Sequence, residues 1–203
     1  VQQSPVVDEV CWDDMVVRIG GERAGDNWPI AWGAADLIYT SYGDGDGLGP
    51  RDSCYTLAFA TLMGTPPTVR ADDVVTDLDT AVGWGKDDTE GGFLLRVCGG
   101  LKLLVRNYAV GDDWRHSRLA VARDFGRTWT WASWHFAESF GCPEFVQFGP
   151  DYVGARDTYV YVVSQDGNSA YDFDPNIVMA RVPAGQVAER DAYEFYGGLN
   201  SLG

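Results

Sequence analysis

The sequence predicts an all-β chain built from a repeated four-stranded antiparallel sheet, because two families of strand-like segments recur with the same spacing. The first family alternates apolar and polar residues and ends in polar clusters, and its members begin at Leu37, Leu101 and Thr158. The second alternates small with larger apolar residues, and its members begin at Thr56, Arg118 and Ile177. The spacing within each family is about sixty residues. Interleaved strands with one such period are typical of β-propeller blades.

Each predicted blade contains an inner strand, two middle strands and an outer strand. In the middle unit we place these strands at about residues 92–97, 101–107, 117–124 and 128–136. The three blades then cover about 25–80, 89–136 and 140–197. Helix is scarce, and the best candidate is a short turn near residues 186–191. Because propellers close with four or more blades, we expect residues 1–203 to form one partial propeller domain.

Composition and charge argue against two broad classes of function. The chain has 15 Lys plus Arg against 30 Asp plus Glu, a formal charge of −15, and phosphate binding requires a basic surface, which argues against nucleic acid. No apolar run approaches the roughly 20 residues of a membrane span. Eight Trp and ten Tyr in so acidic a chain favour a neutral glycan, with its hydroxyls on carboxylates and its C–H faces on aromatic rings. The alternative is that acidity only keeps the protein in solution.

The first residues and the cysteines bear on the compartment. The chain begins V-Q-Q-S-P-V-V, without the charged start and apolar stretch of a signal peptide, so we expect a soluble protein or one that is already processed. Cys11, Cys54, Cys98 and Cys142 form no C-x-x-C pair, which argues against zinc. Free thiols and disulfides both remain open.

Two acidic positions flank the hairpin G-D-N-W-P-I-A-W-G-A-A-D-L-I-Y-T-S-Y-G-D-G-D-G. Asp26 opens it and Asp44 closes it, and four aromatic residues accompany them: Trp28, Trp32, Tyr39 and Tyr42. Two carboxyl groups on one scaffold can cleave a glycosidic bond, since one protonates the leaving oxygen while the other attacks the sugar or activates water. Asp, Asn and Gly also dominate ordinary turns, so a surface hairpin without activity is the alternative.

Blade topology predicts that further polar groups emerge on the same face as this hairpin. The start of an inner strand and the loop between the second and third strands open on one face of a blade. The polar residues expected at this channel mouth include Asn27, Lys86, Asp87, Asp88, Arg106, Asn107, Glu138 and Asp166. Their convergence from three blades favours a cleft over a set of unrelated turns.

The segment A-R-D-F-G-R-T-W resembles the Asp-box of sialidase-like propellers, S/T-x-D-x-G-x-T-W, with Ala122 in place of Ser or Thr. We expect Asp124 to accept hydrogen bonds from amides of the turn between the third and fourth strands. Gly126 is expected to supply a positive φ, and Trp129 to pack between blades. This turn lies on the face opposite the channel mouth, so its expected role is structural.

Several motifs extend the resemblance from about Val17 to Leu199. They are G-D-N-W-P-I-A-W, Y-G-D-G-D-G, V-R-N, E-S-F-G-C-P, Y-V-G-A-R-D-T-Y-V-Y and N-I-V-M-A-R-V-P, besides the Asp-box. With them the chain resembles a family of bacterial secreted β-propellers, formerly of unknown function, that is related to the endo-D-arabinanase glycoside hydrolases. Family members are longer and carry further blades, and Ala122 departs from the Asp-box pattern. A five-bladed ring is expected for the full protein.

The resemblance implies retaining hydrolysis of an arabinan-like furanoside, with Asp26 and Asp44 at the matching positions. We expect Asp44 to be the nucleophile and Asp26 the general acid and base, because the ring of Trp28 would raise the pKa of the Asp26 carboxyl. Arg106 is expected to steer a carboxylate or a sugar hydroxyl, and Trp28 or Tyr171 to stack on a sugar ring. Inverting hydrolysis and the reverse assignment of the two roles stay open.

No metal or cofactor is expected from the sequence. The loops D-G-D-G-L-G-P-R-D and D-F-D-P-N resemble calcium loops without the later bidentate Glu, so ordinary turns are favoured and a structural calcium ion is the alternative. The expected partner is a polysaccharide. Two other functions stay open: a non-catalytic propeller for glycan binding or cell-surface interaction, and an assembly subunit that self-associates because its ring is incomplete.

Overall fold

The structure is a computed structural model that describes residues 6–12, 14–20, 24–48, 54–76, 89–110 and 113–198. In these residues, twelve strands form three four-stranded antiparallel sheets, each from strands that are consecutive in the chain. Sheet 1 contains β1 (Ile30–Trp32), β2 (Ile38–Tyr42), β3 (Ala58–Met63) and β4 (Arg70–Val74). Sheet 2 contains β5 (Glu90–Val97), β6 (Gly100–Val110), β7 (Asp113–Ala122) and β8 (Thr130–Phe136). Sheet 3 contains β9 (Glu144–Phe145), β10 (Tyr159–Gln165), β11 (Ile177–Pro183) and β12 (Glu194–Phe195).

The prediction of an all-β chain with four-stranded antiparallel units is confirmed. Helix in the described residues is limited to single 3-10 turns at Ala34–Asp36, Pro150–Tyr152, Ala184–Gln186 and Arg190–Ala192. None of them has the length or apolar character needed to cross a membrane. The last residues of the first predicted unit, 77–80, and the predicted polar group Lys86, Asp87 and Asp88 lie outside the described residues.

Period-two alternation explains why these segments form strands with one buried face. In β10, Val160, Val162 and Ser164 are buried, whereas Tyr161 and Val163 between them are partly exposed. Successive strand residues point to opposite faces, so this alternation places the valines on a single face of sheet 3. β-branched residues also suit the extended backbone.

Two apolar clusters join neighbouring sheets. One cluster combines Ala31, Tyr39 and Phe59 of sheet 1 with Leu103 of sheet 2 and with Trp129, which lies between β7 and β8. The other combines sheet 2 with sheet 3, and its buried members include Leu104, Leu119, Phe136, Val160, Val162 and Val182. Sheet 2 is therefore covered on both sides, which explains why β6 is almost continuously apolar over its first six residues.

The connections divide the molecule into two ends. The loop end carries the segments 24–29, 43–48, 106–110, 137–143 and 166–176, where β2, β6, β8 and β10 finish. The turn end carries the segments 33–37, 64–69, 98–99, 123–129 and 146–158. Strand polarity within each sheet fixes this division, because every sheet is an antiparallel meander.

Contacts between sheets keep the same ends together. Ser41, one residue before the end of β2, donates a buried hydrogen bond from its hydroxyl to the backbone oxygen of Gly92, near the start of β5. At the turn end, the Arg96 guanidinium lies 2.8 Å from the Asp151 carboxylate in the β9–β10 connection. The loop segments of the three sheets consequently share one side of the molecule.

Candidate functional site

Backbone pairing places Asp26 beside Asp44. The Asp26 amide donates to the Gly43 carbonyl at 2.8 Å, and the Gly43 amide returns a bond to the Asp26 carbonyl at 3.2 Å. Such antiparallel partners have Cα atoms about 5.5 Å apart, and Asp44 follows Gly43 directly. Since consecutive Cα atoms are about 3.8 Å apart, the Cα atoms of Asp26 and Asp44 lie within about 9 Å of each other.

Glycines beside the two aspartates permit this close approach. A Cβ atom added to Gly45 would lie only 2.2 Å from the Cα atom of Gly25, a distance that two carbon atoms cannot share. The two strands therefore touch backbone to backbone next to the acids. This contact gives a physical reason for the Gly-Asp pattern at both ends of the hairpin.

Asp44 and Asp26 have different environments. Asp44 has a positive φ of 51°, and its Oδ1 atom is buried with no hydrogen-bond partner in the described part of the chain. Asp26 is exposed, and its Oδ1 atom accepts a 2.6 Å hydrogen bond from the side-chain amide of Asn27. Asn27 also has a positive φ, 60°. Backbone strain of this kind and unpaired buried polar atoms are concentrated at functional sites.

Trp28 and Tyr42, two aromatic residues of the hairpin, pack against each other. Trp28 stacks on Tyr42, with ring centroids 4.7 Å apart, and its indole donates to the Gly25 carbonyl. The expected packing of the Trp28 ring on Asp26 stays a prediction. The role of Trp28 as a sugar platform stays a prediction.

Tyr39 and Trp32 were expected beside Asp26 and Asp44, but the structure places both of them elsewhere. Tyr39 is buried in the cluster between sheets 1 and 2. Trp32 ends β1 beside the 3-10 turn Ala34–Asp36, and its indole donates to Asp36 at 3.3 Å. Trp32 lies at the opposite end of β1 from Asp26, toward the turn end.

Sheet 2 contributes Arg106 and Asn107 to the loop end. In the backbone register, Arg106 of β6 lies opposite Glu90 of β5. Asn107 lies at a register shift of β6, has a φ of 53° and is only 2% exposed. Its Nδ2 atom is buried without a hydrogen-bond partner among the described residues. Asn107 therefore resembles Asp44 in combining backbone strain with an unpaired polar atom.

The remaining predicted residues form a separate group near sheet 3. The Ser139 hydroxyl donates a hydrogen bond to the Asp166 carboxylate at 2.9 Å, and the side-chain amide of Asn168 donates to the Ala137 carbonyl at 3.3 Å. These bonds fasten the 137–143 segment to the β10–β11 loop. Glu138 and Tyr171 are exposed at the same end.

A groove of about 370 Å³ extends outward from this group between sheets 2 and 3. Its lining includes the predicted residue Glu138 and three groups that the sequence analysis did not assign, namely His135, Arg190 and Tyr196. The volume is in the range of small-molecule sites, and the lining combines aromatic, anionic and cationic groups.

The two histidines of the chain form a pair. The rings of His116 on β7 and His135 on β8 have centroids 4.9 Å apart, and His116 Nδ1 is buried without a partner in the described residues. Burial, with further contributions from His116 and Arg118, lowers the pKa of His135. Their positions near the loop ends of adjacent strands were the one sequence feature that could have indicated this contact.

The turn from Asp124 to Trp129 lies at the opposite end. Asp124 Oδ1 accepts from the Thr128 amide at 2.9 Å and from the Arg127 amide at 3.2 Å, while Oδ2 accepts from the Thr128 hydroxyl at 2.6 Å. Gly126 has a φ of 85°, a conformation that disfavours other residues. Trp129 stacks on Phe59 of sheet 1 at 5.0 Å. The assignment of this turn to the Asp-box motif stays a prediction.

The described residues contain neither a metal-ligand cluster nor a disulfide bond. No set of three or more His, Cys, Asp or Glu side chains there is arranged to hold a metal ion. The structure pairs none of Cys11, Cys54, Cys98 and Cys142 in a disulfide among the described residues. The structural calcium ion stays an untested alternative.

Comparisons with known proteins do not assign the chain. No protein-family model matches it, and no curated protein matches its sequence. The resemblance to secreted β-propellers consequently remains a prediction.

Proposed function

We propose that the three sheets are blades of a β-propeller and that the loop end is its channel mouth. Three features support this arrangement: each sheet is a four-stranded meander, neighbouring sheets share an apolar cluster, and the first strands contact one another. In particular, β5 contacts β1 and β2 on one side and β9 on the other. Radial sheets whose first strands line a central axis produce such contacts.

We propose further that the protein is a glycoside hydrolase with Asp26 and Asp44 as its catalytic pair. The observation that carries this proposal is the Asp26–Gly43 backbone pair, which brings together the backbones of two aspartates whose side chains have unlike environments. Paired carboxyl groups about 5 to 5.5 Å apart support retention, and a gap of about 6.5 to 9.5 Å supports inversion. Cα atoms within about 9 Å are compatible with both.

The two environments support a division of roles. Asp44, with one oxygen buried and unpaired in the described residues, is the proposed nucleophile that attacks the anomeric carbon. Asp26 is exposed, so it can give its proton to the leaving sugar oxygen and then take a proton from the incoming water. That water releases Asp44 from the glycosyl intermediate and restores both carboxyl groups.

The proposed substrate is an arabinan-like polysaccharide outside the cell or in the periplasm. The groove beside Glu138 would hold sugar units beyond the cleavage point, and its Tyr196 and Phe195 rings would support their C–H faces. A net charge of −15 disfavours polyanionic substrates and favours neutral ones. The charge thus favours a neutral glycan, and a furanoside is proposed because of the resemblance to the endo-D-arabinanases.

Replacing Asp44 or Asp26 by Asn tests the catalytic pair. With arabinan-type glycans as substrates, we expect each variant to lose at least about a hundredfold in kcat, because each loses an acid, base or nucleophile at the reacting atoms. Product sizes by chromatography give the rate, and the anomer first released, followed by proton NMR, distinguishes retention from inversion. Asp72→Asn is the matched control, since Asp72 is exposed on β4 of the same sheet.

Two outcomes would contradict hydrolysis by this pair. If Asp44→Asn and Asp26→Asn turn over substrate as fast as Asp72→Asn, the catalytic assignment is wrong. If the unaltered protein binds the glycans without cleaving them and Asp44→Asn weakens binding, the non-catalytic glycan-binding alternative is correct.

A further inference from the structure

A lysine lies inside the molecule on the side of sheet 2 that faces sheet 3. Lys102 of β6 pairs with Leu95 of β5 and Val121 of β7, and it is only 8% exposed. Lysine is almost never buried unless it is paired, because removing an ammonium group from water is costly. Yet the Lys102 ammonium makes no hydrogen bond or ion pair with the residues that the structure describes.

The charges around Lys102 do not compensate it. The pKa of Lys102 is lowered to about 8, mainly by burial; Cys98 acts in the opposite direction, and the nearby Arg123 and Arg96 guanidinium groups add to the lowering. Arg96 already contacts the Asp151 carboxylate at 2.8 Å. Three cationic side chains therefore lie near one another in a chain with only 15 Lys plus Arg.

Lys102 and Arg123 open into a small cavity between sheets 2 and 3. The cavity measures about 80 Å³, and its lining contains no carboxylate; besides these two cations it includes Cys98, Gly100, Val121, Ala184, Gly185 and Val187. The volume exceeds the roughly 30 Å³ of one water molecule but is far below the roughly 300 to 1,000 Å³ of organic ligand sites. A small ion fits this space, whereas a sugar does not.

We propose that Lys102 and Arg123 hold a tetrahedral oxyanion, phosphate or sulfate, in this cavity. An oxyanion supplies the negative charge that the lining lacks, and both side chains can donate charge-assisted hydrogen bonds to it. The cavity lies next to the Cys98–Gly99 turn, at the turn end. The site is therefore separate from the loop end and does not depend on the proposed hydrolase activity.

Carbon-13 NMR of the Lys102 ε-methylene provides the direct test. The full chain is titrated with pH in sodium chloride and again in sodium phosphate or sodium sulfate of equal ionic strength. An adjacent anion favours the charged ammonium, so we expect either oxyanion to raise the pKa of Lys102 above its value of about 8. An unchanged pKa in both oxyanions would overturn the proposal.

Thermal unfolding of three variants provides the second test. Phosphate should raise the melting temperature of the unaltered protein in a saturable way, because it binds the folded state. We expect Arg123→Gln, an exposed change that leaves the core intact, to weaken phosphate binding at least about tenfold, and Lys102→Met to abolish it. Arg127→Gln, an exposed arginine outside the cavity, should bind as the unaltered protein does. Equal phosphate responses in Arg123→Gln and Arg127→Gln would contradict the site.

Discussion

Asp124 shows how a single carboxylate organises a tight turn at the residue scale. Hydrogen bonds from the Thr128 hydroxyl and amide, with a smaller one from the Arg127 amide, stabilise the ionised form and lower the pKa of Asp124 below its usual 3.8. A carboxyl whose folded pKa is depressed stabilises the fold above its unfolded pKa, and this contribution is lost as the pH falls through the folded pKa. The turn should consequently weaken in acid.

Replacing Thr128 by Val tests this explanation. The change removes the hydroxyl donor, which is the largest cause of the shift, so we expect the pKa of Asp124 to rise toward 3.8. Carboxyl carbon-13 NMR measures the value in both proteins. Thr130→Val, an exposed β8 position outside the turn, is the control and should leave it unchanged. A pKa of Asp124 that is equal in Thr128→Val and the unaltered protein would show that the hydroxyl has no part in it.

The sequence was enough to choose the residues of the candidate site, but it could not predict the environment of each residue. The pair Asp26 and Asp44 could be selected because two Gly-Asp motifs flank one hairpin. The buried oxygen of Asp44 and the positive φ of Asn107 could not, since both depend on packing between distant segments. Tyr39 was placed wrongly because an odd offset of three residues from Tyr42 puts the two rings on opposite faces of β2.

At the scale of elements, strand alternation predicted most of the middle sheet. The predicted strands 92–97 and 101–107 correspond to β5 and β6, although β6 continues to Val110 through register shifts at Tyr108. The third predicted strand ended at Asp124, whereas β7 ends at Ala122 because Asp124 belongs to the turn. Register shifts interrupt the pairing without a change in composition, so their positions could not be predicted.

A buried hydrogen bond between elements gives a testable stability effect. Ser41→Ala removes the donor that satisfies the Gly92 carbonyl between sheets 1 and 2. Leaving a buried acceptor unpaired costs about 1 to 3 kcal/mol, so we expect a loss of that size in the free energy of unfolding. Urea denaturation measures it, with Ser133→Ala at an exposed β8 position as the matched control. Equal stability of the two variants would contradict a role for this bond in joining the sheets.

For the whole molecule, the sequence predicted three repeated units but not how they pack. The sixty-residue period follows from strand order, which is local along the chain. The faces that meet are set by side chains far apart in sequence, such as Phe59 and Trp129, which stack between sheets 1 and 2. Strand polarity then brings Asp26, Asp44, Asn107 and Asp166 to one end, although they come from three sheets.

The proposed hydrolase binds its glycan at the loop end and not at the turn end. Amide NMR of the nitrogen-15 labelled Asp44→Asn variant, titrated with an arabinan oligosaccharide that it cannot cleave, locates the binding surface. We expect the amides of Asn27, Asn107 and Asp166 to shift in a saturable way, while those of Asp36 and Asp124 at the turn end stay in place. Shifts confined to Asp36 and Asp124, or no saturable shift at any residue, would show that the glycan does not bind at the loop end.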